Sequence, residues 1–209
     1  MPRAPRSLPP NLLLEGWRPG PIPHLAFPEP CLDFADSVIT SHARKGGRFD
    51  RLQTRAWRQW FLERWGYSAR ADPSANELLD LLDLRTTLRS LMEHQRLPRG
   101  AEVQRLNRLL RASHLYWQLG SSSDYDPQNL VARLQPAKAG WSAVMADIVV
   151  SYARLGEQGR LARVRRCANK NCALIFLDES VNGTRRWCDP RLCGNLIKVR
   201  QHRAQRPGE

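Results

Sequence analysis

Cysteine is scarce in this chain, and long apolar runs are missing. Five cysteines occur in 209 residues. No apolar stretch approaches the roughly 20 residues a helix needs to cross a bilayer, so no membrane span is expected. The "LLL" run of residues 12–14 is too short for the apolar part of a secretory signal, and prolines crowd its flanks. The chain is therefore expected to be cytoplasmic. Acidic residues are also in short supply: 20 Asp+Glu stand against 33 Lys+Arg, a net charge of +13. Such a balance points to a polyanionic partner, nucleic acid before an anionic membrane. Walker, Rossmann, Gly-x-Ser-x-Gly and His-Glu-x-x-His patterns are absent. His24, His42, His94, His114 and His202 have no metal or triad spacing among them. No enzymatic constellation remains, and the chain is not expected to be an enzyme.

What is present is unevenly placed. Residues 160–209 hold twelve Lys/Arg and four Asp/Glu, a net of +8, against +5 for the other 159 residues. Residues 1–30 hold nine of the fifteen prolines and read as a disordered lead-in. Residues 31–156 read as a mainly helical domain with one small β-hairpin. A short helix is expected within 31–43, with Leu32, Ala35, Val38 and Ile39 on one side. Trp57, Trp60, Phe61 and Trp65 share one face of a second helix, closed by Gly66. That face reads as core, with a small-molecule effector pocket as its other use. The segment 74–97 carries a Ser74/Glu77 capping box and an apolar stripe. A shorter helix follows over 101–111. Aromatic and β-branched residues flank a turn-rich centre in 114–134, which predicts the hairpin. Helix returns over 139–156, buried on Val144, Ile148, Tyr152 and Leu155.

Four of the five cysteines lie between residues 167 and 193. Cys167/Cys172 and Cys188/Cys193 each enclose four residues. In a reducing compartment such pairs read as metal ligands before disulfides. Four thiolates suit tetrahedral zinc and leave no open position, so the site would be structural; an iron–sulfur cluster stays open as the other use. The strand-like segments 174–178 and 184–188 flank Asn182-Gly183, a hairpin signal, and a helix is expected after Cys193. Knuckle, hairpin and helix together predict a treble-clef-like module over 160–209, with one structural Zn2+ per chain. Zinc would supply folding free energy that so small an apolar content cannot, roughly 10–16 kcal/mol in small fingers. Cys31 stands apart and reads as a small buried residue.

The stretch "RRCANKNCALIFLDESVNGTRRWCDPRLCGN" resembles the CGNR zinc finger. The resemblance rests on Cys167, Cys172, "FLD" at 176–178, Asn182-Gly183, "RRWC" at 185–188, Cys193-Gly194-Asn195 and Lys198. Proteins with this finger carry an N-terminal, mostly helical ABATE domain and are described as stress-induced transcription regulators. "CLDF" at 31–34 looks like the start of that domain. The resemblance implies a DNA-binding bacterial transcription regulator. One departure stands out: the namesake arginine is Leu196 here.

On a helical wheel for 195–206, Asn195, Lys198, Gln201, His202, Gln205 and Arg206 share an arc suited to bases and phosphates. Leu196, Ile197, Val199 and Ala204 fall on the other arc and would pack on the hairpin. Arg185 and Arg186 are candidates for phosphate contact, or for pairing with Asp178 across the hairpin. Arg160, Arg163, Arg165 and Arg166 would extend the basic surface. The nucleic-acid set is thus Arg185, Arg186, Asn195, Lys198, Gln201, His202 and Arg206. RNA stays open beside DNA, and a zinc-stabilised protein-interaction module with a ligand-sensing helical domain is the alternative.

Overall fold

The computed structural model describes residues 29–40, 47–123 and 126–205. The proline-rich lead-in, apart from Glu29 and Pro30, and Arg206 lie outside them. The chain opens with α1 (Pro30–Ala35), which begins on a proline at its first turn. The helix expected across 31–43 stops here. Val38, Ile39 and Thr40 instead form β1 (Val38–Thr40), paired antiparallel with β2 (Arg48–Asp50). Three successive β-branched side chains favour extended backbone over helix. The Arg51 guanidinium also takes the Asp36 carbonyl at 2.5 Å, just beyond the end of α1.

Three helices follow as the periodicity predicts. In α2 (Arg55–Trp65), the Thr54 side chain caps the first turn, and Gly66 at φ +68° supplies the left-handed stop. The capping box of α3 (Ala75–Glu93) is formed in full by Ser74 and Glu77. This helix ends at Glu93, earlier than the expected Leu97, where Gln95 turns the chain at φ +49°. Next is α4 (Ala101–Ala112). The expected hairpin is β3 (Leu115–Ser123) with β4 (Asp126–Pro136), and α5 (Trp141–Glu157) returns to the core.

The core gathers the aromatic face of α2, the leucine stripe of α3 and the apolar face of α5. Trp57 and Phe61 stack at 5.0 Å between ring centroids, and Phe34 meets Phe61 at 6.0 Å. Trp60 and Trp65 pack against the same cluster, so this face is core. Leu81, Leu84, Leu88, Leu91, Ile148 and Leu155 are fully or almost fully buried, each contributing roughly 1.5–3 kcal/mol of apolar burial.

The chain then continues through a tight turn, Arg160–Arg163, into β5 (Val164–Arg166) and β6 (Ile175–Leu177), an antiparallel pair. Val164, Ile175 and Leu177 belong to the same apolar cluster as α2, α3 and α5. Apolar packing therefore continues past residue 160. One π-type turn, Pro190–Gly194, leads directly into α6 (Asn195–Gln205). Among the described residues, no helix is long and apolar enough to cross a membrane. The architecture is mainly α with small antiparallel sheets and a C-terminal finger.

Candidate metal centre and basic helix

The first cysteine pair sits on the turn between β5 and β6. Cys167 donates its amide to the Leu174 carbonyl at 3.0 Å, and Cys172 donates to the Asn169 carbonyl at 2.7 Å. The buried Asn169 side chain accepts from the Asn171 amide at 3.2 Å and donates to the Cys193 sulfur at 3.5 Å. It thus links the first pair to the second. In the second pair, the Asp189 carboxylate caps the π-type turn by accepting from Arg191 and Leu192 amides, and Pro190 starts it. Both knuckles are held by local hydrogen bonds.

The expected hairpin between 174–178 and 184–188 does not form. β6 pairs with β5 instead, and only β6 of the two segments is a strand. Asn182-Gly183 does lie in a turn, with Gly183 at φ +61° and its amide donating to Ser180 at 3.1 Å. The reason the second strand fails lies in Asp178. Its fully buried carboxylate accepts from the Ser180 amide and hydroxyl, from the Arg185 amide at 3.1 Å and from Arg165 Nε at 3.3 Å. An amide committed to a carboxylate cannot join a ladder. Burial raises the Asp178 pKa, but these hydrogen bonds outweigh it and hold the carboxyl below its ordinary value. Segment 184–188 meets the first knuckle through the Ala168 amide and the Arg186 carbonyl, at 2.9 Å.

The four thiols meet at one point. Their sulfurs all lie within 4.8 Å of one another and all four residues are buried. Cys172 and Cys188 are 3.8 Å apart, and Cys188 and Cys193 are 3.6 Å apart. Zinc–thiolate bonds of about 2.3 Å in a tetrahedron require sulfur–sulfur edges of about 3.8 Å, so the donor set fits a tetrahedral thiophilic ion. Hydrogen bonds from the Cys172 and Cys188 thiols lower the Cys167 pKa to about 7, while the same contacts push Cys172 and Cys188 up. As four thiolates, sulfurs at this spacing would need a cation among them. The Leu174 amide on Cys172 and the Cys188 amide on Cys167 would hold the ligands in place. Cys31 lies in the main core, its thiol pushed up to about 12 by burial.

The remaining sequence-predicted residues divide into two groups. Arg185 is internally committed: its guanidinium donates to the Trp187 carbonyl at 2.9 Å and to the Cys188 carbonyl, and lies 4.8 Å over the Phe176 ring. Arg160 pairs with Glu29 and Glu179, Arg163 donates to the Ser180 carbonyl, and Arg165 holds Asp178 and the Gly183 carbonyl. These three do not simply extend a basic surface. Arg186 is exposed, 5.3 Å over the Trp187 ring, and Trp187 packs on the cysteine cluster. Along α6, Asn195, Lys198, Gln201, His202 and Gln205 are exposed, and no residue of the helix is buried. Leu196 and Ile197 are half-buried, whereas Val199 and Ala204 are exposed. The apolar arc is covered only in its first turn.

Sequence reasoning passed over Asp36 and Arg89. The buried Asp36 carboxylate accepts the Ile175 amide at 3.0 Å and Arg89 at 3.2 Å, and Arg89 also donates to the Ala173 carbonyl. A polar side chain two residues beyond "CLDF" was the only signal available.

A helical core that shares a strand pair with a four-thiol finger defines a two-part metal-finger protein. The chain belongs to the ABATE family, described as "Putative stress-induced transcription regulator", whose model matches residues 29–168. The CGNR zinc finger model matches residues 163–206. The two matches overlap on β5, the strand whose Val164 enters the main core while its backbone pairs with the finger. No curated protein matches the chain.

Proposed function

We propose that the chain is a zinc-dependent, DNA-binding transcription regulator without enzymatic activity. One zinc ion per chain would be held by Cys167, Cys172, Cys188 and Cys193. A closed four-thiolate set leaves no position for substrate, so the metal's work is structural. The observation that carries the DNA reading is α6: it grows directly from the turn bearing Cys193 and exposes its polar arc from Asn195 to Gln205. Lys198, Arg200 and Arg203 have no ion-pair partner among the described residues, which leaves their charge free for phosphates. Asn195, Gln201 and His202 supply groups that can read base edges. Arg186 adds a cation beside the finger, and Arg185 supports the ligand turn.

Selection of bound DNA from a random pool, run beside an RNA pool, tests this reading. Enrichment of a DNA sequence, with affinity falling steeply as salt rises, is expected; enrichment from the RNA pool alone would replace DNA with RNA. The metal is tested by elemental analysis. Cys188→Ser should lose the zinc and Cys31→Ser should keep one per chain, and protein purified without chelator but free of zinc would overturn the metal assignment.

A further inference from the structure

A cleft of about 790 Å³ opens where the β1–β2 ribbon, α3 and the first cysteine knuckle meet. Its charges are unbalanced in a particular way. Asp50 is taken by Arg85 through a two-point contact, and Glu93 is taken by Arg89 at 2.7 Å. Three further cations line the cleft: Arg48 from β2, Arg166 from β5 and Lys170 from the knuckle. All three are exposed, and none has an ion-pair partner among the described residues. They come from three separate segments and converge on one concavity. Like charges in a cleft repel one another and focus a positive field into it, and an anion between them relieves both effects. Among the described residues no Phe, Tyr or Trp lines the cleft, and stacking there is limited to the His94 imidazole and the guanidinium planes. The recognisable group is the anion itself.

We propose that this cleft binds a compact phosphate-bearing small molecule through Arg48, Lys170 and Arg166, and that it is the effector site of the protein. The binding site stands on its own geometry; its regulatory role rests on the function proposed above. Its position gives a ligand leverage on the finger. Arg89, at the wall of the cleft, donates to Ala35 and Asp36 at the end of α1 and also to the Ala173 carbonyl, next to the ligand Cys172. An anion held by Arg48 on one side and Lys170 on the other spans the helical domain and the knuckle. Its binding is thereby coupled to how the knuckle sits on the core.

The test uses the full zinc-loaded chain titrated with inorganic phosphate, with ionic strength held constant by chloride. The readouts are thermal unfolding and titration calorimetry. Saturable binding is expected in the wild type. The apparent affinity should fall at least about fivefold in Arg48→Ala and in Lys170→Ala, while Lys170→Arg, which keeps the charge, should retain it. Both alanine sites are exposed, and melting without phosphate verifies that the variants fold. No saturable binding, or binding undiminished in both alanine variants, overturns the site. A second arm measures a DNA duplex in phosphate-free buffer. If either alanine variant lowers the salt slope by about one unit, the cleft is a strip of the DNA surface and the small-molecule assignment is overturned. If phosphate binds as expected but the wild type binds no DNA, the site stands and the regulator reading fails.

Discussion

At the residue scale, two neighbouring arginines that look alike in sequence have different tasks. Arg185 donates to two carbonyls of the turn carrying Cys188 and covers the Phe176 ring, whereas Arg186 is exposed beside Trp187. Truncating the first leaves carbonyls next to a ligand without their donor. Arg185→Ala should therefore speed zinc release to a chelator by about tenfold, within the range for loss of a supporting contact, with DNA salt dependence unaltered for the fraction that retains metal. Arg186→Ala should leave zinc release unchanged and lower the DNA salt slope by about one unit. Stopped-flow chelation and salt-titrated binding measure the two. Equal effects of the two substitutions on zinc release would contradict the separation. Asp178 belongs to the same scale: one buried carboxylate collects two amides, a hydroxyl and a guanidinium, and so shapes the loop between β6 and the second knuckle.

At the scale of the element, α6 is supported at one end only. Its first turn half-buries Leu196 and Ile197, and from Lys198 onward every described residue is exposed. Such a helix leaves most of its circumference open to solvent. Lys198→Ala should reduce affinity across all duplex sequences and lower the salt slope by about one unit, without moving the melting temperature. Leu196→Arg should do the opposite. Leu196 is only half-buried, so an arginine stem can cover the same surface while its guanidinium reaches solvent. A gain of about one unit in salt slope with an unchanged melting temperature is expected. A destabilised variant with no gain in affinity would show that Leu196 packs inward and that α6 meets DNA by another face.

At the scale of the molecule, the finger and the helices should unfold together, because they share apolar packing. Val164, Ile175 and Leu177 sit in the helical core, and their removal would cost several kcal/mol, at roughly 1.5–3 kcal/mol each, against a usual total of about 5–15 kcal/mol. A chelator should lower the midpoint of a single transition, seen alike by far-ultraviolet dichroism and by the fluorescence of the core tryptophans. Two separate transitions would show independent units. Asp36 adds a pH dependence to this junction. Burial pushes its carboxyl up to about 8 against the pull of Arg89 and the Ile175 amide, whereas an unfolded Asp titrates near about 3.9. Between those values the folded state holds a proton that the unfolded state has lost, so this contribution to stability falls as pH rises and levels off above about 8. Asp36→Asn removes it. Urea unfolding of the zinc-loaded protein should show the variant gaining on the wild type between about pH 5 and pH 8; a constant difference across that range would refute the assignment.

The sequence by itself determined the features that depend on neighbours along the chain. The capping box of α3, the left-handed Gly66, the β3–β4 hairpin and the apolar face of α5 follow from local periodicity and turn chemistry, and the structure forms each of them. The two cysteine pairs were equally legible, because a knuckle is a local turn, and the four sulfurs do converge. Tertiary structure decided what depends on competition for a partner. Val38–Thr40 left the helix for a strand because β2 and Arg51 were there to receive it. Segment 184–188 remained irregular because Asp178 took the Arg185 amide and β5 already held β6. The basic residues around the finger divided into supports and free charges according to which carbonyls and carboxylates came within reach. Pairing depends on distance in space, and the chain order of β5, β6 and Asp36 does not reveal that they share one core.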